Sequence, residues 1–78
     1  MSGEPFRELE VVYIDADRPA AGLRRGAAGT IIHAVRNAEP AAYLLEFVDE
    51  TGQTYGEDVF TAEEMNRVPP VPADLPAK

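Results

Sequence analysis

Apolar residues fall into short runs that turn-forming residues separate. Four runs have the β-branched and aromatic content typical of strands, at residues 8–14, 30–35, 43–48 and 53–60. After them, Thr61 and Glu64 have the spacing of a capping box, which predicts one short helical turn. Residues 66–68 then predict a fifth short strand that closes the sheet.

Alternation of apolar and polar residues predicts which strand faces are buried. The third strand has an aromatic-rich face and a mixed face: Tyr43, Leu45 and Phe47 against Leu44, Glu46 and Val48. We expect the aromatic-rich face to form core. Residues 30–35 have two largely apolar faces: Thr30, Ile32 and Ala34 on one, and Ile31, His33 and Val35 on the other. This strand is therefore either central and covered on both sides or has one face against a partner subunit.

Glycine and proline mark the connections between these strands. Pro19 and Gly22 interrupt the loop at 15–22. Gly26 and Gly29 are expected to take backbone angles that other residues resist. Gly52 fits a tight hairpin at 49–52, where a positive φ follows a type I turn.

Five short strands, a long first loop and one helical turn predict an all-β fold, a small five-stranded SH3-like barrel; a different open five-stranded roll is the alternative. The chain of 78 residues allows one domain. We expect a flexible N-terminus at 1–7, the barrel at 8–68, and a proline-rich tail at 69–78 that is extended or disordered.

The net charge of the chain indicates which classes of partner to expect. The formal net charge is −7, with 14 acidic and 7 basic side chains. Nucleic-acid binding needs cations that neutralise phosphates, so no nucleic acid is expected, and a protein partner is expected to be basic. Alternatively, acidity serves solubility alone. Residues 1–5 do not resemble a signal peptide and no apolar run would span a bilayer, which predicts a soluble, cytoplasmic protein without membrane contact.

The residues that carry chemistry are few. The chain has no cysteine, and His33 is its one histidine. His33 can serve as a proton carrier or metal ligand, but its apolar neighbours favour a packed or interface histidine. The adjacent acidic pairs at 49–50, 57–58 and 63–64 are best interpreted as solvated surface. We therefore expect no catalytic residue, no metal site and no cofactor: the protein is not predicted to be an enzyme.

The aromatic residues offer one further binding hypothesis. Tyr13 and Tyr55 fit either a peptide groove or a cage for a cation as well as they fit core packing. For Phe47 and Phe60, core packing is favoured.

Several blocks together resemble the short bacterial proteins grouped as domain of unknown function 4926. The blocks lie at 8–12, 22–26, 29–33, 46–50, 52 and 61–68, so the resemblance covers residues 8–69. It implies an SH3-like barrel, with no established activity and no catalytic residues to carry over. Some members resemble companions of toxins, which implies an antitoxin or immunity-type role. The chain departs from the family pattern at Ala27, where an acidic residue is common, and in its proline-rich tail.

The leading hypothesis is a non-enzymatic module that binds a basic protein through its acidic surface or an exposed strand face. Its candidate surface residues are Tyr13, Ile31, His33, Val35, Leu44, Asp49, Glu50, Tyr55, Glu57 and Asp58. The alternative is a self-associating structural protein that buries Ile31, Val35 and Leu44 against a second copy. A nucleic-acid-binding module is the third hypothesis, and we do not expect it.

Overall fold

Five antiparallel strands form one sheet that curls into a half-barrel. The computed structural model describes residues 6–69, with strands β1 (Val11–Ile14), β2 (Ala28–Ala34), β3 (Ala42–Val48), β4 (Thr54–Thr61) and β5 (Met65–Asn66). Short 3-10 turns at Pro19–Ala21 and Ala62–Glu64 precede β2 and β5. The strand order is β4-β3-β2-β1-β5. The predicted all-β, five-stranded fold is confirmed.

The first and last strands differ from their predicted bounds. β1 starts at Val11 rather than at residue 8, because residues 7–10 form a turn in which Leu9 has a φ of +69°. The Glu10 carboxylate stabilises this turn by accepting the Arg7 backbone N–H at 3.0 Å. β5 is two residues long and pairs with β1, not with β4.

The core lies on the concave side of the sheet and is assembled from every strand. Its members are buried apolar residues: Val12, Ile14, Leu23, Ile31, Tyr43, Leu45, Phe47, Phe60 and Met65. The predicted aromatic-rich face of β3 is therefore confirmed as core. Phe47 and Phe60, both fully buried, meet edge to face with ring centroids 6.0 Å apart.

Gly29 is required for a different reason from the other turn glycines. Gly26 and Gly52 have positive φ angles of +95° and +86°, as predicted. Gly29 has no positive φ, so the prediction that it adopts a backbone angle other residues resist was wrong. It instead lies against the core, where an added Cβ would be 2.7 Å from the Phe47 ring. Glycine therefore allows β2 to approach this ring closely.

A β-bulge at Ile32 reverses the faces of β2. Ile31 pairs with Leu45, whereas His33 pairs with the next residue, Leu44, so Ile32 is an extra residue. Ile31 points into the core and is 1% exposed, while His33 is exposed on the opposite side. The expectation that Ile31 and His33 share one face is wrong, because a bulge breaks the two-residue period.

The two ends of the chain were predicted to lack regular structure. Residues 1–5 and 70–78 lie outside the described residues. They include most of the predicted flexible N-terminus and most of the predicted proline-rich tail. Phe6 is described, is half-buried, and meets the edge of Tyr43 with ring centroids 5.6 Å apart. Within residues 6–69, no helix is long and apolar enough to cross a membrane.

Candidate interaction surface

The convex side of β2, β3 and β4 carries apolar and acidic side chains in adjacent rows. We call it the outer face and define it by two rows of cross-strand neighbours. The first row is His33, Leu44 and Val59, and the second is Thr30, Glu46 and Glu57. Val59 is 41% exposed and Leu44 is half-buried, although each has a fully buried neighbour in sequence. The outer face is thus partly apolar where a solvent-facing sheet is usually polar.

Two carboxylates of the outer face lie directly opposite each other. Glu46 on β3 pairs with Glu57 on β4, which places their Cβ atoms about 5 Å apart. Glu46 accepts a hydrogen bond from the Thr54 hydroxyl at 2.7 Å. Within residues 6–69, neither carboxylate forms an ion pair. Like charges in this position destabilise a sheet, so the pair raises the free energy of the isolated protein.

The β3–β4 hairpin continues the acidic surface, but its two carboxylates differ. The Asp49 carboxylate accepts the Thr51 hydroxyl at 2.6 Å and the backbone N–H groups of Thr51 and Gln53 at 2.9 and 3.0 Å. These hydrogen bonds, led by that of the Thr51 hydroxyl, lower the pKa of Asp49. Asp49 therefore shapes the turn, whereas Glu50 is exposed beside it. Glu50 is the hairpin carboxylate that is free to meet a partner.

Asp58 belongs to the concave side of β4, where it meets Arg18 from the β1–β2 loop. Arg18 lies 3.3 Å from the Asp58 carboxylate and 3.0 Å from that of Glu64, with its guanidinium 4.4 Å above the Phe60 ring. Asp58 also accepts the Val59 backbone N–H at 2.8 Å, and Arg18 reaches the Val59 carbonyl oxygen at 3.4 Å. Asp58 therefore connects β4 to the β1–β2 loop and lies on the opposite side of the strand from Glu57.

Glu64 is held in this cluster by backbone as well as by charge. Its carboxylate accepts the Thr61 N–H at 3.0 Å, which confirms the predicted capping box. This hydrogen bond lowers the pKa of Glu64; partial burial opposes the shift and Arg18 reinforces it. The Ala62–Glu64 turn is thereby connected to the β1–β2 loop.

The structure divides the predicted surface residues into separate groups. His33, Leu44 and Glu57 come together on the outer face, with Asp49 and Glu50 at the adjacent hairpin. Ile31 was placed wrongly, since it is core, and Asp58 does not join the outer face, since it lies on the opposite side of β4 and pairs with Arg18. The remaining members lie apart from the outer face or at its margin: Tyr13 on the convex side of β1, half-buried Val35 just after β2, and exposed Tyr55 against the Phe47 ring.

Three residues of the outer face were absent from the predicted surface: Thr30, Glu46 and Val59. Glu46 was detectable, because alternation in β3 places it opposite the aromatic-rich face. Val59 was not, because its position beside Leu44 depends on the hairpin register, which shifts between Phe47 and Val48.

The described residues also contain one open groove beside the first 3-10 turn. Asp17, Pro19, Gly22, Leu23 and Arg24 line it, and its volume is about 650 Å³. The Asp17 carboxylate accepts the Arg25 backbone N–H at 2.8 Å, so it is already engaged in holding the loop. Within residues 6–69, no group of three or more His, Asp or Glu side chains is arranged to hold a metal ion.

Comparison with known proteins gives one result. A family model described as Domain of unknown function (DUF4926) matches residues 8–66. No curated protein and no solved structure matches the chain.

Proposed function

We propose that this chain, which belongs to the family described as Domain of unknown function (DUF4926), is a non-enzymatic module that binds a protein with a basic surface. The observation that carries the proposal is the outer face, where Leu44 and Val59 adjoin the facing carboxylates of Glu46 and Glu57. An antitoxin or immunity-type role is one version of this function, and a cytoplasmic location is part of the proposal.

Charge and apolar exposure favour this function for separate reasons. The net charge of −7 attracts a basic partner over several ångströms and opposes the approach of a polyanion. Exposed aliphatic side chains such as Val59 provide the contact area that charge alone does not supply. Together they fit reversible, salt-sensitive association with another protein.

The second candidate function is self-association, which the apolar part of the outer face favours. Leu44 and Val35, both half-buried, remain available for it, whereas Ile31 does not because it is core. Sedimentation of the purified chain at low and high salt tests this function. A monomer at high protein concentration under both conditions would eliminate it.

Affinity capture at low salt tests the protein-binding function. The chain is immobilised and exposed to a lysate of the source organism, and captured proteins are identified by mass spectrometry. The test variant combines Glu46→Gln, Glu50→Gln and Glu57→Gln. The matched control replaces three exposed glutamates elsewhere, Glu8, Glu39 and Glu63, by glutamine as well. Both variants lose three negative charges, so they differ only in location.

We expect a basic protein that the wild type and the control capture and that the test variant loses. Equal capture by both variants would contradict a localised acidic surface. Recovery of the bait alone would contradict the protein-binding function itself. Asp49 and Asp58 are left unchanged because they hold the hairpin and the barrel together.

A further inference from the structure

We propose that the outer face itself is the docking surface, and that its occupant is a basic protein surface presenting an aliphatic side chain beside an arginine or lysine. This inference rests on the proposed function and names the contact site and the chemistry of the partner. The apolar row His33–Leu44–Val59 would take the aliphatic side chain. The parallel row Thr30–Glu46–Glu57 would take the cation.

The carboxylate row is complementary to a cation that the described part of the chain does not provide. Arg18 pairs with Asp58 and Glu64 on the concave side, and Arg25 pairs with Asp15 within the β1–β2 loop. A guanidinium between Glu46 and Glu57 would replace repulsion between like charges with two charge-assisted hydrogen bonds. Binding therefore relieves a cost that the isolated fold carries.

The apolar row makes the surface selective for more than charge. Val48, 47% exposed at the hairpin end of β3, lies on the far side of the carboxylate row and offers a second aliphatic contact there. The two rows lie about 7 Å apart along β3 and β4, two residues at about 3.4 Å each, so the partner must present an aliphatic and a cationic side chain side by side. A flexible polycation satisfies only one row and is expected to bind more weakly.

A second copy of the chain does not satisfy the carboxylate row. Two copies meeting face to face would each bring Glu46 and Glu57 into the same interface, and each carries a net charge of −7. Repulsion between like charges then opposes association. The charge complementarity of the outer face thus favours a different, basic protein over a homodimer.

Three synthetic peptides of equal length serve as probes of this surface. The first is an amphipathic helix-forming peptide with a leucine stripe flanked by arginines. The second replaces the leucines by serine, and the third replaces the arginines by glutamate. Affinity is measured by fluorescence anisotropy, and the contact site is mapped by amide chemical shifts of the ¹⁵N-labelled full chain.

We expect only the first peptide to bind well, with shifts concentrated at Leu44, Glu46, Glu57 and Val59. Glu46→Gln with Glu57→Gln, and separately Val59→Thr with Leu44→Thr, should each weaken binding about tenfold. Glu8→Gln with Glu63→Gln is the charge-matched control and should have little effect. Each variant is checked for an unchanged amide spectrum outside the mutated strands.

Two results would overturn the inference. One is equal binding of the arginine–leucine and arginine–serine peptides, which would reduce the surface to an unspecific acidic one. The other is a set of shifts confined to residues away from β2–β4. If either occurs while affinity capture still yields a basic protein, the proposed function stands and only the docking surface is wrong.

Discussion

Replacing Arg18 tests whether the β1–β2 loop stabilises the open side of the barrel. We choose Arg18→Met because methionine keeps an unbranched apolar stem and removes the guanidinium. The change breaks the contacts with Asp58 at 3.3 Å and Glu64 at 3.0 Å, and it removes the cation from above the Phe60 ring. Asp58, on the concave side of β4, then has no cation.

The expected cost follows from the exposure of these groups. The side chains of Arg18, Asp58 and Glu64 are 28%, 37% and 32% exposed, so water screens each ion pair to roughly 0.5 kcal/mol. The cation–π contact adds about 0.5–1 kcal/mol. Together we expect a loss of about 1.5–2 kcal/mol in the free energy of unfolding, or roughly 6–16 °C in Tm for a domain of this size.

Urea and thermal unfolding, followed by circular dichroism, measure this loss. Arg24→Met is the matched control, because Arg24 is exposed and forms no ion pair within residues 6–69. In about 1 M NaCl the difference between the two variants should narrow, since salt screens the ion-pair part. A loss for Arg18→Met within about 0.5 kcal/mol of the control would refute the reasoning, because surface changes commonly fall in that range.

Three further predictions concern the core, the hairpin and pH. Gly29→Ala should lower the free energy of unfolding by about 1–3 kcal/mol, because the added methyl group pushes on the Phe47 ring. In a double-mutant cycle measured by urea unfolding, the same change should lower it less in a Phe47→Leu background. Additive effects of the two substitutions would contradict this contact. Gly52→Ala should cost about 1–2 kcal/mol because its φ is +86°, with an unchanged urea m-value. The pKa values of Glu10 and Glu64 are lowered in the folded state, so both stabilise it above the usual glutamate range and lose that effect as pH falls through their lowered values. Tm should therefore be flat above about pH 5 and fall below about pH 4, with a shallower fall in Glu64→Gln; equal slopes would contradict it.

Local patterns predicted most of the fold, because they report burial and backbone geometry that act over a few residues. The β3 aromatic-rich face, the positive φ of Gly52 and the capping box of Thr61 and Glu64 are all confirmed. The failures involve contacts between distant segments. Gly29 is determined by the Phe47 ring, 18 residues away along the chain (47 minus 29), and no local pattern encodes that approach.

The candidate surface was predictable only in part for the same reason. Alternation places Leu44 and Glu57 on the outer face, whereas His33 is separated from the buried Ile31 by a bulge that local sequence did not signal. Asp58 has the same local composition as the exposed Glu57 beside it. Its inward role depends on Arg18, 40 residues earlier (58 minus 18), and pairing at that distance is invisible to a local reading.

The hydrogen bonds at Val59 limit how the sheet can be extended at this edge. β4 is an edge strand, and edge strands normally offer free N–H and C=O groups on which another strand can add. At Val59 the backbone N–H donates to the Asp58 carboxylate, and the carbonyl oxygen accepts a hydrogen bond from the Arg18 guanidinium. The sheet is therefore blocked there from lengthening into a fibre, while the Val59 side chain stays exposed on the outer face. At this position the side-chain face is open to contact, whereas the backbone is closed to a further strand.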